Sequence, residues 1–475
     1  MIAHVIGGEA RKASDGGTFE TVDPWRQAAW EEVARGTRDD VEAAVAAARR
    51  AFDEGPWPRM GTAERGRILY RLAELIEAHA DGLADADTSD MGKPISDMRG
   101  KDVPRAAQNF RFFADHARLS TADVYPMDSP HHAYTRYEPV GVVAAIAPWN
   151  FPLMLESWKV APPLAWGNTV VLKPAEDTPA SASLLAQLAL EAGLPPGVLN
   201  VVHGFGPDAA GQWLTEHPGV DRITFTGESA TGRAIARAAA ANLTPVSFEL
   251  GGKGANLVFA DADLEAAVGW SLKAIFTNAG QVCLAGSRLY VERAILDEFV
   301  DRFVTAAVAM RCGDPRQPTT EVGPLSSKAH YDKVTGYLDG IPGEGGRILC
   351  GGTADDGTWI VRPTVVVDAP EESRLCREEV FGPVVTVAPF GSEDEALRLA
   401  NDTPYGLNAM LFTENVRRAH RVAAGLRAGT VWVNCFFVRD LRAPFGGVGD
   451  SGIGREGGDF SREFCTEPKA VVMEL

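Results

Sequence analysis

The chain has 475 residues, 45% of them hydrophobic, and a formal net charge of −18. Roughly 150 residues per domain gives about three structural units, and the apolar content excludes a disordered chain. The excess of acid excludes a general nucleic-acid binder, whose phosphate contacts need clustered Lys and Arg. Six cysteines without a C-x-x-C pair exclude a disulfide scaffold and a cysteine-based zinc module.

The first residues, MIAHVIGGEARKASDGGTFETVDPW, lack the basic cap and apolar run of a signal peptide. Residues 39–53 read as a helix, acidic at its start and carrying Arg49 and Arg50 near its end. A second helix is predicted from Thr62 to about Ala84 and a third over 102–118. HHAYTRYEP, within 119–139, alternates as exposed or subunit-bridging strands do. Val140 to Leu155 is uncharged but too short to span a bilayer, and Pro148, Asn150 and Pro152 interrupt it. A soluble, cytoplasmic protein that meets no membrane is expected.

From residue 140 short apolar runs alternate with helical stretches near 154–165, 180–192, 207–216 and 229–240. Uncharged strands in a strand–helix repeat predict a parallel sheet covered on both faces, with ligands bound beyond the strands' carboxyl ends. Asn150, Lys173, Gly204, Gly227 and Glu249 each end an apolar run. A second αβ series fills 263–450, and the terminal KAVVMEL suits a strand added to a neighbouring sheet.

Gly204 and Gly206 begin like a G-x-G-x-x-G fingerprint, but the third glycine, Gly211, comes two positions too late. Gly227 and Gly232 have P-loop spacing, but Arg233-Ala234 replaces the Lys and Ser/Thr that would hold phosphate and Mg²⁺. Tight turns and a dinucleotide site both fit these glycines; the usual ATP site does not. Cys283, in FTNAGQVCLAGSR, is open to two readings, a reactive thiol or a core thiol. Glu249, between an apolar strand and Gly251-Gly252, is costly there unless exposed, paired or catalytic. Asn150 can serve as an oxyanion donor or as a turn former. The nine histidines form no H-E-x-x-H pattern, so no catalytic metal is expected.

Together PWNFP (148–152), KPAEDTP (173–179), FTGESATG (225–232), ELGGK (249–253), GQVC (280–283), EEVFGP (378–383) and PFGG (444–447) resemble the NAD(P)-dependent aldehyde dehydrogenase superfamily, in the family's own order. The resemblance implies an α/β fold with a Rossmann-like cofactor domain (1–118 and 140–251) and a second α/β catalytic domain (252–451). It also implies a small β oligomerisation arm (119–139 and 452–475) bridging a homodimer or homotetramer. It implies Cys283 as nucleophile, Glu249 as base and Asn150 as oxyanion donor. NAD would be held by Ile146, Pro148, Trp149, Lys173, Glu176, Gly206, Gly227, Ser229, Gly232, Leu250, Glu379 and Phe381. The carboxylate of Glu176 would repel a 2′-phosphate, favouring NAD over NADP. The family often has Ser after Gly227, meeting the pyrophosphate. Glu228 here should repel that anion unless it turns away, with Ser229 as a substitute donor.

VRDLRAPFGG (438–447) and VPRAAQNFRFFAD resemble the muconic-semialdehyde branch of the family. That resemblance implies Arg105 and Arg439 as ligands of a substrate carboxylate. The alternatives are a surface Arg439–Asp440 pair with neutral aldehydes as substrates, a CoA-acylating enzyme, and an inactive binding homologue. Retention of Glu249 favours hydrolysis over acylation of CoA.

Overall fold

The computed structural model describes residues 1–354 and 356–475. Its first sheet is built on five parallel strands: β1 (Val142–Ile146), β2 (Thr169–Lys173), β3 (Leu199–Val201), β4 (Arg222–Thr226) and β5 (Val246–Glu249). Their spatial order is β5-β4-β1-β2-β3. The chain therefore leaves β1 in one direction and returns on its other side, which opens a crevice between β1 and β4 at their carboxyl ends. Ile146 lies opposite both Lys173 and Phe225, and Thr226 opposite Glu249, so the residues that end the strands reach one rim.

Helices α1 (Arg38–Asp53), α2 (Thr62–Ala78), α3 (Val103–Leu119), α4 (Pro152–Ala165), α5 (Ala180–Glu191), α6 (Ala210–Glu216) and α7 (Ser229–Ala240) cover this sheet. Period-two alternation divides its core in two. Val170 and Leu172 join Leu69, Phe110 and Leu164 on one face, while Val171 joins Val41, Leu214 and Ile235 on the other. The helix expected to reach Ala84 stops at Ala78. His79 leaves helical geometry and its Nδ1 meets Leu75 O at 2.9 Å, and a separate helix follows over Ala80–Met91.

The second sheet is parallel across β6 (Ala255–Val258), β7 (Arg288–Glu292), β8 (Val361–Val367), β9 (Val384–Phe390), β10 (Asn408–Phe412) and β11 (Thr430–Val433). Helix α8 (Leu264–Phe276) packs on it through a core that includes Phe276, Phe299 and Phe303. In a third sheet His131–Pro139 pairs antiparallel with Thr466–Glu474 along its whole length, which is where KAVVMEL goes. A short return strand, Gly452–Ile453, lies antiparallel to β5 with Gly452 opposite Glu249, and Leu250 N–H donates to Ser451 O at 2.9 Å.

Candidate active site

The segment carrying Cys283 follows α8 through a turn in which Asn278 and Ala279 hold φ of 51° and 53°. Left-handed backbone at a non-glycine residue costs about 1 kcal/mol or more and persists only when neighbours over-determine it. Asn278 Nδ2 does so, donating to Asn150 O at 2.8 Å. Gly280 follows at φ +71°, where a Cβ would stand 2.1 Å from Gly382 O, so only glycine fits under the EEVFGP segment. Asn150 Nδ2 donates to Gln281 O at 2.9 Å, which leaves its second N–H for another acceptor. PWNFP, GQVC and EEVFGP, far apart in sequence, thus clamp one another.

Glu249 is the last residue of β5 and is only 4% exposed. Neither of its oxygens has a hydrogen-bond partner in the protein. Burial first, and then the Glu456 charge, raises its carboxyl well above the usual range, against the pull of Lys159, Arg439 and Arg455. Glu456 is fixed by Lys159 Nζ at 2.5 Å, Trp158 Nε1 at 2.6 Å and Thr224 Oγ1 at 3.2 Å. Neither Lys159 nor Glu456 was among the residues singled out from the sequence. They lie 297 positions apart in no shared motif, so nothing local marks them.

Cys283 lies deep but keeps part of its surface open. Burial, followed by the charges of Glu379 and Glu249, pushes its thiol up to about 12, and Arg439 pulls the other way. At neutral pH Cys283 is therefore a thiol, which would need a base to become nucleophilic. Below that value the thiolate fraction grows about tenfold per pH unit. Iodoacetamide labelling of Cys283 in the free chain should accelerate between about pH 7 and pH 10 without a plateau, as followed by mass spectrometry.

Along the rim of the first sheet, Ile146, Pro148 and Trp149 follow β1, and Lys173 Nζ pairs with Glu176 Oε2 at 3.1 Å beyond β2. Gly206 packs against Gly211, where a Cβ would come within 3.1 Å, and Gly232 packs against Leu250. At the start of α7 the N–H groups of Ser229, Ala230 and Thr231 have no backbone partner, and Glu228 does not cap them with its side chain. Free helix N-terminal donors beyond a parallel strand suit a pyrophosphate. Ser229 does not stand in as the expected hydroxyl donor, because it gives its proton to Asp450 O at 2.7 Å.

Glu379 closes the groove from the second sheet, accepting Gly252 N–H at 2.8 Å, and burial lifts its carboxyl to about 7. Phe381 holds φ 61°, and its ring meets Trp149 edge-on at 5.3 Å. His330 Nε2 lies 2.8 Å from Phe381 O. Burial holds His330 down to about 4, so it is neutral at pH 7 and can donate there. His330, a helix residue in no motif, was also missed from the sequence.

A cavity of about 330 Å³ lies between α3, α4 and α8, walled by Phe151, Met154, Trp158, Trp270 and Phe437. Its two carboxylates are already engaged, Asp102 by Lys93 and Asp97 by Lys101. Arg105 is steadied by Asn109 Oδ1 at 3.2 Å. Arg439 lies 3.7 Å from the Phe445 ring centre and 4.9 Å from that of Trp158, with its buried Nη2 unpartnered. Burial and the neighbouring Arg105 pull its guanidinium down to about 10, so it stays charged at pH 7. The alternative Arg439–Asp440 surface pair does not form, since Asp440 pairs with exposed Arg442 at 2.6 Å. Among the described residues no cluster of His, Cys, Asp or Glu is arranged to hold a metal, and no helix is long and apolar enough to cross a membrane.

Residues 11–471 match the model of the aldehyde dehydrogenase family. The chain is 47% identical to the 2-hydroxymuconic semialdehyde dehydrogenase of Pseudomonas sp. (strain CF600), over 100% of this chain and 99% of that protein. It is 47% identical to a 2-aminomuconic 6-semialdehyde dehydrogenase of Pseudomonas sp., over 96% and 95%. Among solved structures, PnpE in complex with nicotinamide adenine dinucleotide superposes with a TM-score of 0.97 at 46% identity, covering 100% of this chain and 97% of that one. The indole-3-acetaldehyde dehydrogenase of P. syringae, in complex with NAD+ and IAA, gives 0.98 at 41% identity with the same coverage.

Proposed function

The chain belongs to the aldehyde dehydrogenase family as an NAD-dependent enzyme, and on that premise we propose that it oxidises a carboxylate-bearing semialdehyde of the muconic type to the dicarboxylate. The observation that carries this reading is the Arg439 guanidinium in the cavity wall, whose buried Nη2 has no hydrogen-bond partner among the described residues. A guanidinium there binds a planar carboxylate by two parallel hydrogen bonds, with Arg105 as a second cation.

Cys283 Sγ attacks the aldehyde carbon while Glu249 takes the thiol proton. The new C–S bond puts negative charge on oxygen, which receives the free N–H of the Asn150 amide and the backbone N–H of Cys283. NAD, when bound, accepts the hydride that leaves the substrate carbon. A thioester on Cys283 remains. Once the thiol proton has passed from Glu249 to solvent, the carboxylate takes a proton from water as the water oxygen attacks, the C–S bond breaks, and Cys283 departs as thiolate. The buried Lys159–Glu456 pair holds fixed charge beside Glu249 throughout.

Lys173 and Glu176 would hold the adenosine ribose, the start of α7 the pyrophosphate, and Glu379 and Phe381 the nicotinamide half, with Trp149 and His330 bracing Phe381. Repulsion of a 2′-phosphate by Glu176 favours NAD over NADP. The exposed apolar Val472, Met473 and Leu475 around the strand Thr466–Glu474 favour a homodimer or homotetramer.

Steady-state kinetics comparing muconic semialdehydes with neutral aliphatic and aromatic aldehydes tests the substrate. A kcat/KM no higher for the acids rejects it. Glu249→Gln tests the chemistry: the first equivalent of NADH should form more slowly, because the thiol has lost its base, and hydrolysis should be slower still, with turnover reduced about 10²-fold or more. Intact-mass measurement should then find the acyl group on Cys283. Unchanged turnover with no acyl-enzyme removes Glu249 from hydrolysis.

A further inference from the structure

We infer that Glu228 loosens the hold on the dinucleotide pyrophosphate, placing an unbalanced carboxylate at the groove that the rest of α7's start is shaped to make attractive to anions. This rests on the cofactor reading of that groove. Gly227 brings the chain around the end of β4, where a Cβ would stand 2.4 Å from the Phe225 ring. Glu228 comes next, with extended backbone at φ −73° and ψ 144°, at the N-cap of α7. A short polar side chain at an N-cap, Asp, Asn, Ser or Thr, ordinarily turns back to accept its own helix's N–H groups. Glu228 does not, and among the described residues it forms no ion pair or side-chain hydrogen bond elsewhere.

The nearby cation is also engaged: Arg233 is held by Asp450 Oδ2 at 2.6 Å. The neighbouring hydroxyl of Ser229 gives its proton to Asp450 O. The cradle thus offers backbone N–H groups and helix dipole, opposed by one uncompensated negative charge. That charge is felt across the groove, where it adds to the upward push on Glu379 and on Tyr405. Repulsion across several ångströms of solvated groove changes binding of a pyrophosphate about five- to tenfold. It acts on oxidised and reduced cofactor alike, because both carry the same two phosphates. The gain is faster cofactor exchange, which sets turnover wherever release is slow.

The test is calorimetric titration of the full chain with ADP-ribose and, separately, with adenosine. Glu228→Gln should lower the Kd for ADP-ribose about five- to tenfold and leave adenosine unchanged. Raising ionic strength should narrow the gap between parent and variant, because the lost interaction is a screened one. Unchanged or weaker ADP-ribose binding overturns the proposal; weaker binding would assign Glu228 to holding a bridging cation. Equal tightening of adenosine overturns it too, since adenosine has no phosphate. Lys173→Ala separates the premise: failure to weaken either ligand would reject the groove itself and not Glu228's part in it.

Discussion

Cys283→Ser removes NADH formation while leaving NAD binding intact. Serine keeps the shape, but its hydroxyl, held as deep as the thiol, is a far weaker acid and nucleophile. Loss of a nucleophile that acts as a unit with its base costs at least about 10⁴-fold. The thiol is pushed up to about 12 by burial and by Glu379 and Glu249, so even sulfur depends on a base; a hydroxyl there has no usable anionic form. The measurement is NADH absorbance in steady state beside calorimetric titration with NAD. Retained turnover would reject Cys283 as the nucleophile.

Arg439→Ala should lower kcat/KM for a semialdehyde acid about 10³-fold, mostly through KM. Truncating one partner of a buried, charge-assisted pair costs about 2–5 kcal/mol, much of it from stranding the other charge. Neutral aldehydes should suffer much less. They lose only the pull of Arg439 on the thiol and on Glu249, which is opposed by larger effects of burial. Arg439→Lys keeps charge but not the planar fork, and should recover only part of the acid substrate's KM. Equal losses on acid and neutral aldehydes would sink the carboxylate anchor.

The parallel-sheet layout was legible because strands buried on both faces keep charge out of their interiors, as TVVLK, charged only at Lys173, and RITFT, charged only at Arg222, illustrate. The segments of the candidate site were legible because each pairs a polar or thiol side chain with glycines or prolines that only close approach requires. Gly280 under Gly382 and Gly446 beside Glu249 show why: a Cβ at either would collide. What stayed hidden depends on distance in sequence. Glu456 looks like a surface acid in GIGREGG until folding brings Lys159 to it. Arg439 stands between Val438 and Asp440, so local reading left a surface pair open. Burial against Phe445 and Trp158 separates it from that neighbour. The break at His79 and the left-handed Phe381 likewise depend on tertiary partners, not on local propensity.

The strand Gly452–Ile453 beside β5 bears on how the protein is made. Ser451 Oγ donates to Gly251 O across 200 residues, and Glu456 arrives just after it. A ribosome must first have made Gly452 and Ile453 before that strand can dock on β5. Domains assemble N-terminal first during synthesis. Until this segment threads into place, Glu249 lacks neighbours, Glu456 and Arg455 among them, that act on its carboxyl. A nascent chain that stops short of residue 452 therefore already holds Cys283 and Glu249, but not the surroundings that fix the proton affinity of Glu249.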